Sequence, residues 1–456
     1  MYRKNAWKKY DVAAEKMVMK FAEGYKEYLS NSKTERLATR EAVKRLEENG
    51  FKPASEVKTL KTGDKIYFVN KNKNVCAFVI GQKPLVEGIR ILGAHIDSPR
   101  LDFKEHPLYE KSEFAYADTH YYGGIKKYQW VTIPLALHGV ICKKDGSSIE
   151  VNIGESEKDP VVGISDLLIH LAADQLAKNG AKVIEGENLD VTLGSKPLKG
   201  KDSLAVKANI LKILEKKYDI DEEDLLSAEI EVVPAGKARD YGLDSSMIAG
   251  YGHDDRSCAY TSLMALIDAG ELECTGCCIL VDKEEIGSVG ATGAHSLFFE
   301  NAIAKLFALS GSKNPLWDTR LLMENSKMLS SDVSAGFDPL YAGAFDPVNG
   351  AYFSYGIVFN KYTGSRGKSG SNDANPEYYA WVRKAMDEAE VNWQNAELGR
   401  VDQGGGGTIA YILGNYNMNV LDAGIPVLNM HAPMEIVSKA DIYEAYKGYI
   451  AFLTAK

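Results

Sequence analysis

The sequence predicts an α/β protein whose central sheet is flanked by helices, and three observations carry that reading. Cys277-Cys278-Ile279-Leu280-Val281 is a continuous apolar run, as expected of a parallel-sheet strand buried on both faces. It ends in charge, at Asp282-Lys283-Glu284-Glu285-Ile286-Gly287-Ser288, and open α/β sheets bind their ligands at the carboxyl ends of strands. Several other strand-like runs end in the same way, with helical segments between them. Adjacent carboxylates such as Glu284 and Glu285 repel each other and resist burial, so the pair needs cationic or hydrogen-bonding partners.

The chain of 456 residues is long enough for two domains with a substantial core. Its net charge of -9 argues against wholesale binding to nucleic acid or anionic membrane, which requires a basic surface. Met1-Tyr2-Arg3-Lys4-Asn5 leads into a charged amphipathic segment without a signal-peptide core, and no stretch of about 18 apolar residues occurs, so a cytoplasmic protein is expected. Six cysteines in so long a chain suit reduced thiols. Cys274-x-x-Cys277 could be half a zinc site, but there is no second such pair and a strand presents only alternate side chains on one face.

In chain order, residues 8–50 show two helical segments divided near Ser30-Asn31-Ser32, with Ser32 and Glu35 as a capping box and Gly50 as the stop. Strand-like runs follow at Lys65–Val69, Val75–Ile80 and Gly88–Ala94, the last leading into His95-Ile96-Asp97-Ser98-Pro99. Residues two apart on an extended chain share a face, so Asp97 can orient an imidazole at His95. From 101 to 232 the texture becomes aromatic, Gly-rich and strand-like, with a helix expected over Ser165–Lys178; this reads as an inserted domain. His106, His120, His138 and His170 fall within it. The flanking residues 1–100 and 233–456 would then form one discontinuous domain.

Beyond the insertion, Gly252-His253-Asp254-Asp255-Arg256 opens a helix through Ala269, and Leu329-Ser330-Ser331-Asp332-Val333 is another apolar-to-acidic transition. Lys361-Tyr362-Thr363-Gly364-Ser365-Arg366-Gly367-Lys368-Ser369 has the look of a phosphate-binding loop, but Tyr362 occupies the position of the first glycine, which removes the pattern. Gly404–Gly407 precedes the apolar run Thr408–Leu413. Ile425–Leu428 delivers Asn429-Met430-His431, and a helix over Lys439–Phe452 closes the chain, with Ser438 and Asp441 as its cap.

His95, Asp254, Glu284/Glu285, Asp332 and His431 each follow a strand-like run, and two imidazoles with several carboxylates suit two borderline divalent ions. The combination of His95-x-Asp97-Ser98-Pro99, Gly252-x-Asp254-Asp255-Arg256, Asp282-x-Glu284-Glu285-x-Gly287, Ser331-Asp332-Val333 and Met430-His431 resembles the M18 metalloaminopeptidases, a family that includes aspartyl aminopeptidases and the yeast vacuolar aminopeptidase. The likeness runs in order from about residue 8 to the C-terminus.

That resemblance implies a zinc-peptidase fold of phosphorylase/hydrolase type with a mixed central sheet, residues 101–232 being a mainly β dimerisation domain. It implies two divalent ions per subunit, zinc with cobalt or manganese as alternatives. His95, Asp254 and Asp332 would hold one ion and Asp254, Glu285 and His431 the other. Asp97 would orient His95, and Glu284 would be the free base that accepts a proton from the attacking water and returns it to the leaving amine. The implied substrates are peptides with a free N-terminus. Lys361 matches a lysine that pairs with acidic first residues in the aspartyl type, although the following Thr363–Lys368 departs from that type, which leaves neutral residues such as leucine as the alternative. A tetrahedral homododecamer is implied, with His170, in Leu167-Leu168-Ile169-His170-Leu171, reaching a neighbour's active site. A metal-dependent deacetylase or carboxypeptidase, a nucleotide-binding enzyme and a zinc-stabilised scaffold are the competing readings. The requirement for a free amine separates them from an aminopeptidase.

Overall fold

The computed structural model describes residues 4–456, which divide into two compact units. One comprises residues up to Asp97, Ala238–Met430 and Glu435–Lys456; the other comprises Ser98–Lys237 and His431–Met434.

The first unit is built on a nine-stranded mixed sheet. Its strands run, in spatial order, Lys52–Pro53, Lys65–Asn70, Asn74–Val79, Gly276–Val281, Arg90–His95, Lys327–Ser330, Asn419–Gly424, Ile357–Asn360 and Trp393–Asn395. The Cys277–Val281 run shows why a continuous apolar stretch forms a central strand. Cys278 and Leu280 point into a core formed with helices Val12–Asn31, Glu35–Glu48, His253–Asp268 and Lys439–Thr454, whereas Cys277, Ile279 and Val281 point into the opposite core, with helices Phe298–Leu309 and Pro315–Asn325. Fully burying a side chain such as Leu280 contributes roughly 1.5–3 kcal/mol.

Register positions the functional edge. Arg90–His95 runs parallel to Gly276–Val281, with His95 opposite Val281, and parallel to Lys327–Ser330, with Gly93 opposite Ser330. The Ser331 N–H continues the ladder onto the Gly93 carbonyl at 2.6 Å. Asp332 therefore emerges at the level of His95, on the other side of that strand from the chain that leaves Val281 for Glu284. A separate five-stranded sheet contains Met247–Gly250, Glu435–Ser438 and Pro426–Leu428.

Capping differs from the expectation. The second helix starts at Glu35, with Thr34 rather than Ser32 as its cap: Thr34 Oγ1 accepts the Leu37 N–H at 3.3 Å. Ser438 does occupy the N-cap of the last helix, but its side chain makes no capping bond, and Asp441 accepts the Ser354 and Gly356 N–H groups at 2.6 and 2.7 Å. A distant loop has claimed the carboxylate that local spacing assigned to the helix end.

The second unit carries a six-stranded antiparallel sheet in the order Ser148–Ile153, Leu135–Cys142, Ala228–Pro234, Arg100–Lys111, Phe114–Tyr122 and Val191–Gly194. The expected helix over Ser165–Lys178 is instead a 3-10 turn, Ile169–Leu171, and a single α-turn, Ala173–Leu176. Leu167, Leu168, Ile169 and Leu171 are all exposed, so this segment lacks the buried face that would stabilise a helix of that length. The unit's long helix is Ala205–Tyr218. Among the described residues, no helix is long and apolar enough to cross a membrane.

Candidate metal centre

The His253–Asp268 helix begins at Gly252, and Asp254 and Asp255 depart from helical geometry across a cis peptide. This irregular start carries Asp254 to the end of the Arg90–His95 strand. His95 Nε2 lies 3.1 Å from Asp254 Oδ1, 3.9 Å from Asp332 Oδ1 and 4.0 Å from Glu284 Oε2. One ligand atom from each of His95, Asp254 and Asp332 falls within 4.8 Å of the others, and Asp254 and Glu285 offer atoms equally close to each other.

The irregular helix start is held from behind. The Asp254 N–H donates to Glu435 Oε2 at 3.0 Å, and Asp255 Oδ2 accepts the His95 N–H at 3.3 Å. The fully buried Arg256 guanidinium donates to the Lys33 and Ile96 carbonyls at 3.0 and 3.1 Å, fixing the segment between His95 and Asp97. His253, adjacent to Asp254, is sequestered: its Nδ1 lies 2.6 Å from the Tyr25 hydroxyl, and burial pushes its pKa down to about 3, so the ring is neutral.

Asp97 has more partners than its spacing predicts. The His95 Nδ1 lies 3.1 Å from the Asp97 carbonyl and 3.3 Å from its Oδ1. The carboxylate also accepts two backbone N–H groups, Glu284 onto Oδ1 and Glu285 onto Oδ2, each at 3.1 Å. Those N–H groups open the 3-10 turn Glu284–Ile286, whose first donors have no partner within the turn. Asp97→Asn is expected to lower metal affinity by roughly 10- to 100-fold, the usual effect of removing a group that orients a ligand. Competition with a chromogenic chelator measures this, and unchanged affinity would refute the orienting role.

The electrostatics of the cluster favour a bound cation. Burial alone would lower the His95 pKa, but the hydrogen bonds of Asp254 and Asp97 raise it well above the ordinary imidazole value. Burial drives the Asp255 carboxyl up, and burial together with Asp255 does the same to Asp332. Carboxylates crowded out of water in this way are stabilised by a cation, and one imidazole with two carboxylates is a donor set that fits a zinc ion.

Three further predicted positions, Lys361, His431 and His170, have surroundings of their own. Lys361 Nζ pairs with Asp373 Oδ1, and Lys368 Nζ pairs with Asp373 Oδ2 at 3.0 Å, so one aspartate engages both lysines. By its contacts His431 groups with the second unit, its Nδ1 2.8 Å from the Gly124 carbonyl. His170 lies in the exposed 3-10 turn of that unit. The supports from Glu435 and Asp255 were not expected from the sequence: Asp255 reads there as part of an acidic helix start, and Glu435 is 181 positions from the Asp254 N–H that it accepts.

A family model described as aminopeptidase I zinc metalloprotease (M18) matches residues 28–453. The chain is 57% identical over 455 residues to the probable M18 family aminopeptidase 1 of Clostridium acetobutylicum, covering 99% of this chain and 98% of the relative. A crystal structure of an M18 aminopeptidase from Thermotoga maritima superimposes with a TM-score of 0.97 at 44% identity, covering both chains completely. The S. cerevisiae mApe1 dodecamer shares the fold, with a TM-score of 0.77 at 19% identity over 95% of this chain and 96% of that one. The converging imidazole and carboxylates thus stand in a chain that belongs to the M18 family of zinc metalloproteases, and it is a metalloaminopeptidase.

Proposed function

We propose that this aminopeptidase works with two divalent ions, zinc by preference, and that Glu284 is its general base. The observation that carries the proposal is the meeting of His95, Asp254 and Asp332 beside Glu284, whose side chain keeps 17% exposure while its backbone is pinned by Asp97. His95, Asp254 and Asp332 would hold the first ion. Asp254 and Glu285 would hold the second together with His431, which is carried on the short connection between the Pro426–Leu428 and Glu435–Ser438 strands. When bound, the ions polarise the scissile carbonyl and bring the pKa of water down towards about 7. Glu284 takes the proton of the attacking water and passes it to the departing amine. The neighbouring carboxylates attract the free N-terminal ammonium of the peptide, which limits cleavage to its first residue.

For that first residue we propose a preference for acidic side chains, supported by the two lysines that converge on Asp373 and leave a net positive charge. The pairing of Lys361 with Asp373 also favours a second reading, in which Lys361 is already neutralised and neutral residues such as leucine are preferred. Assays of the metal-replete enzyme on Asp-, Glu- and Leu-p-nitroanilide, and on free and N-acetylated peptides, test both levels. Acetylation is expected to abolish cleavage, and Lys361→Ala to lower kcat/KM selectively for the acidic substrates. Turnover of acetylated peptides would point to a deacetylase or endopeptidase instead.

We assign the second unit to assembly, as a dimerisation domain of a tetrahedral dodecamer. The exposed Leu167, Leu168, Ile169 and Leu171 around His170 support this, since a contiguous apolar turn is unfavourable in water. In that assembly His170 would steady the oxyanion in a neighbouring subunit. Six free cysteines suit a reducing compartment, and we assign the cytoplasm.

A further inference from the structure

The run Gly404–Gly407 contains two kinds of glycine. A Cβ at Gly404 would stand 1.5 Å from the Leu398 carbonyl oxygen. At Gly405, with φ +112°, a Cβ would stand 2.6 Å from Ser365 Cα. Packing between these segments demands both. Gly406 and Gly407 are different: neither has a positive φ, a Cβ at Gly406 would meet nothing within 4 Å, and one at Gly407 would make only ordinary contacts, 3.7 Å to the Gly370 carbonyl oxygen and 3.9 Å to Tyr411. The fold requires glycine at neither position, yet glycine loses more freedom on folding than any other residue. Close approach by something outside the chain is the remaining physical use of a missing side chain.

The strip is tied to the strand that pairs with the one leading to Asp332. Gly406 N–H donates to the Thr363 carbonyl at 3.0 Å. Immediately after Gly407, the buried Thr408 donates its hydroxyl to Asp422 Oδ1 at 2.6 Å. Asp422 is itself buried, on the strand that pairs it with Ser330, two residues before Asp332. Its carboxyl is raised to about 7, first by burial and in part by the charge of Glu284. Gly407 is exposed where Thr408 is not.

We propose that Gly406 and Gly407 form a wall of the pocket for the substrate's first residue, and that their missing side chains admit large residues there. The inference rests on Glu284 belonging to the reacting centre. It names size as a determinant of substrate class alongside charge.

Steady-state kinetics of Gly407→Val and Gly407→Ala on Ala-, Leu- and Phe-p-nitroanilide test the proposal, with thermal midpoint and zinc content measured on each variant. In Gly407→Val, kcat/KM for the Leu and Phe substrates is expected to fall at least tenfold through KM, while that for Ala changes less than threefold. Gly407→Ala should show the same order with a smaller loss, and both variants should keep the wild-type midpoint and zinc content. A wild-type ratio of Phe to Ala turnover in both variants, or equal losses on all three substrates, overturns the wall. Wild-type turnover in Glu284→Gln overturns the placement of the reacting centre instead, so the two failures are distinguishable.

Discussion

Glu284→Gln is expected to lower kcat by roughly 100- to 10,000-fold, the range associated with losing a general base, while zinc content stays at the wild-type level. The substitution keeps the side chain's size and the backbone N–H that donates to Asp97 Oδ1, so the turn is preserved and only the proton-accepting oxygen is lost. Kinetics paired with metal analysis of the same preparation provides the check. Loss of zinc would make Glu284 a ligand, and full activity would remove it from the mechanism.

Asp254→Asn is expected to act on the metal itself, lowering affinity by more than about 100-fold, beyond the usual effect of removing a ligand's supporting group. Asp254 lies 3.1 Å from His95 Nε2 and is the residue shared by both ion sites in the proposed assignment. An amide retains the shape but removes the charge on which two cations would depend. Asp255→Asn provides the contrast: Asp255 accepts the His95 N–H and lies outside the assigned ligands, so its variant should bind zinc more tightly than Asp254→Asn. Metal analysis after dialysis against a graded chelator compares the two. The reverse order would move the bridging role to Asp255.

The sheet edge was legible because an apolar run followed by charge is a one-dimensional signal. Val281 followed by acids and Ser330 leading to Asp332 could be recognised along the chain, and the parallel register then brought those strand ends level with His95. The roles of Asp97 and Asp441 were harder to see because their partners are distant in sequence. Asp97 accepts N–H groups 187 and 188 positions away, and Asp441 accepts them from 87 and 85 positions away, beyond any pattern of local spacing. The region around His170 misled for a different reason. Its apolar residues have helical spacing, but periodicity measures amphipathicity and not the presence of a face to pack against, and Leu167–Leu171 has no such face within its own unit. Lys361 was assigned from the resemblance alone, with no indication that Asp373, twelve residues later, would take its charge.

The bonds of Asp97 bear on how the centre would respond to a change of metal. One carboxylate grips the turn that carries Glu284 and Glu285, while the same residue steadies His95. Glu284, the proposed base, and the His95 imidazole are therefore fastened to one residue. Exchange of one ion for another would alter the Lewis acidity of the centre without having to rebuild the stage on which the proton moves.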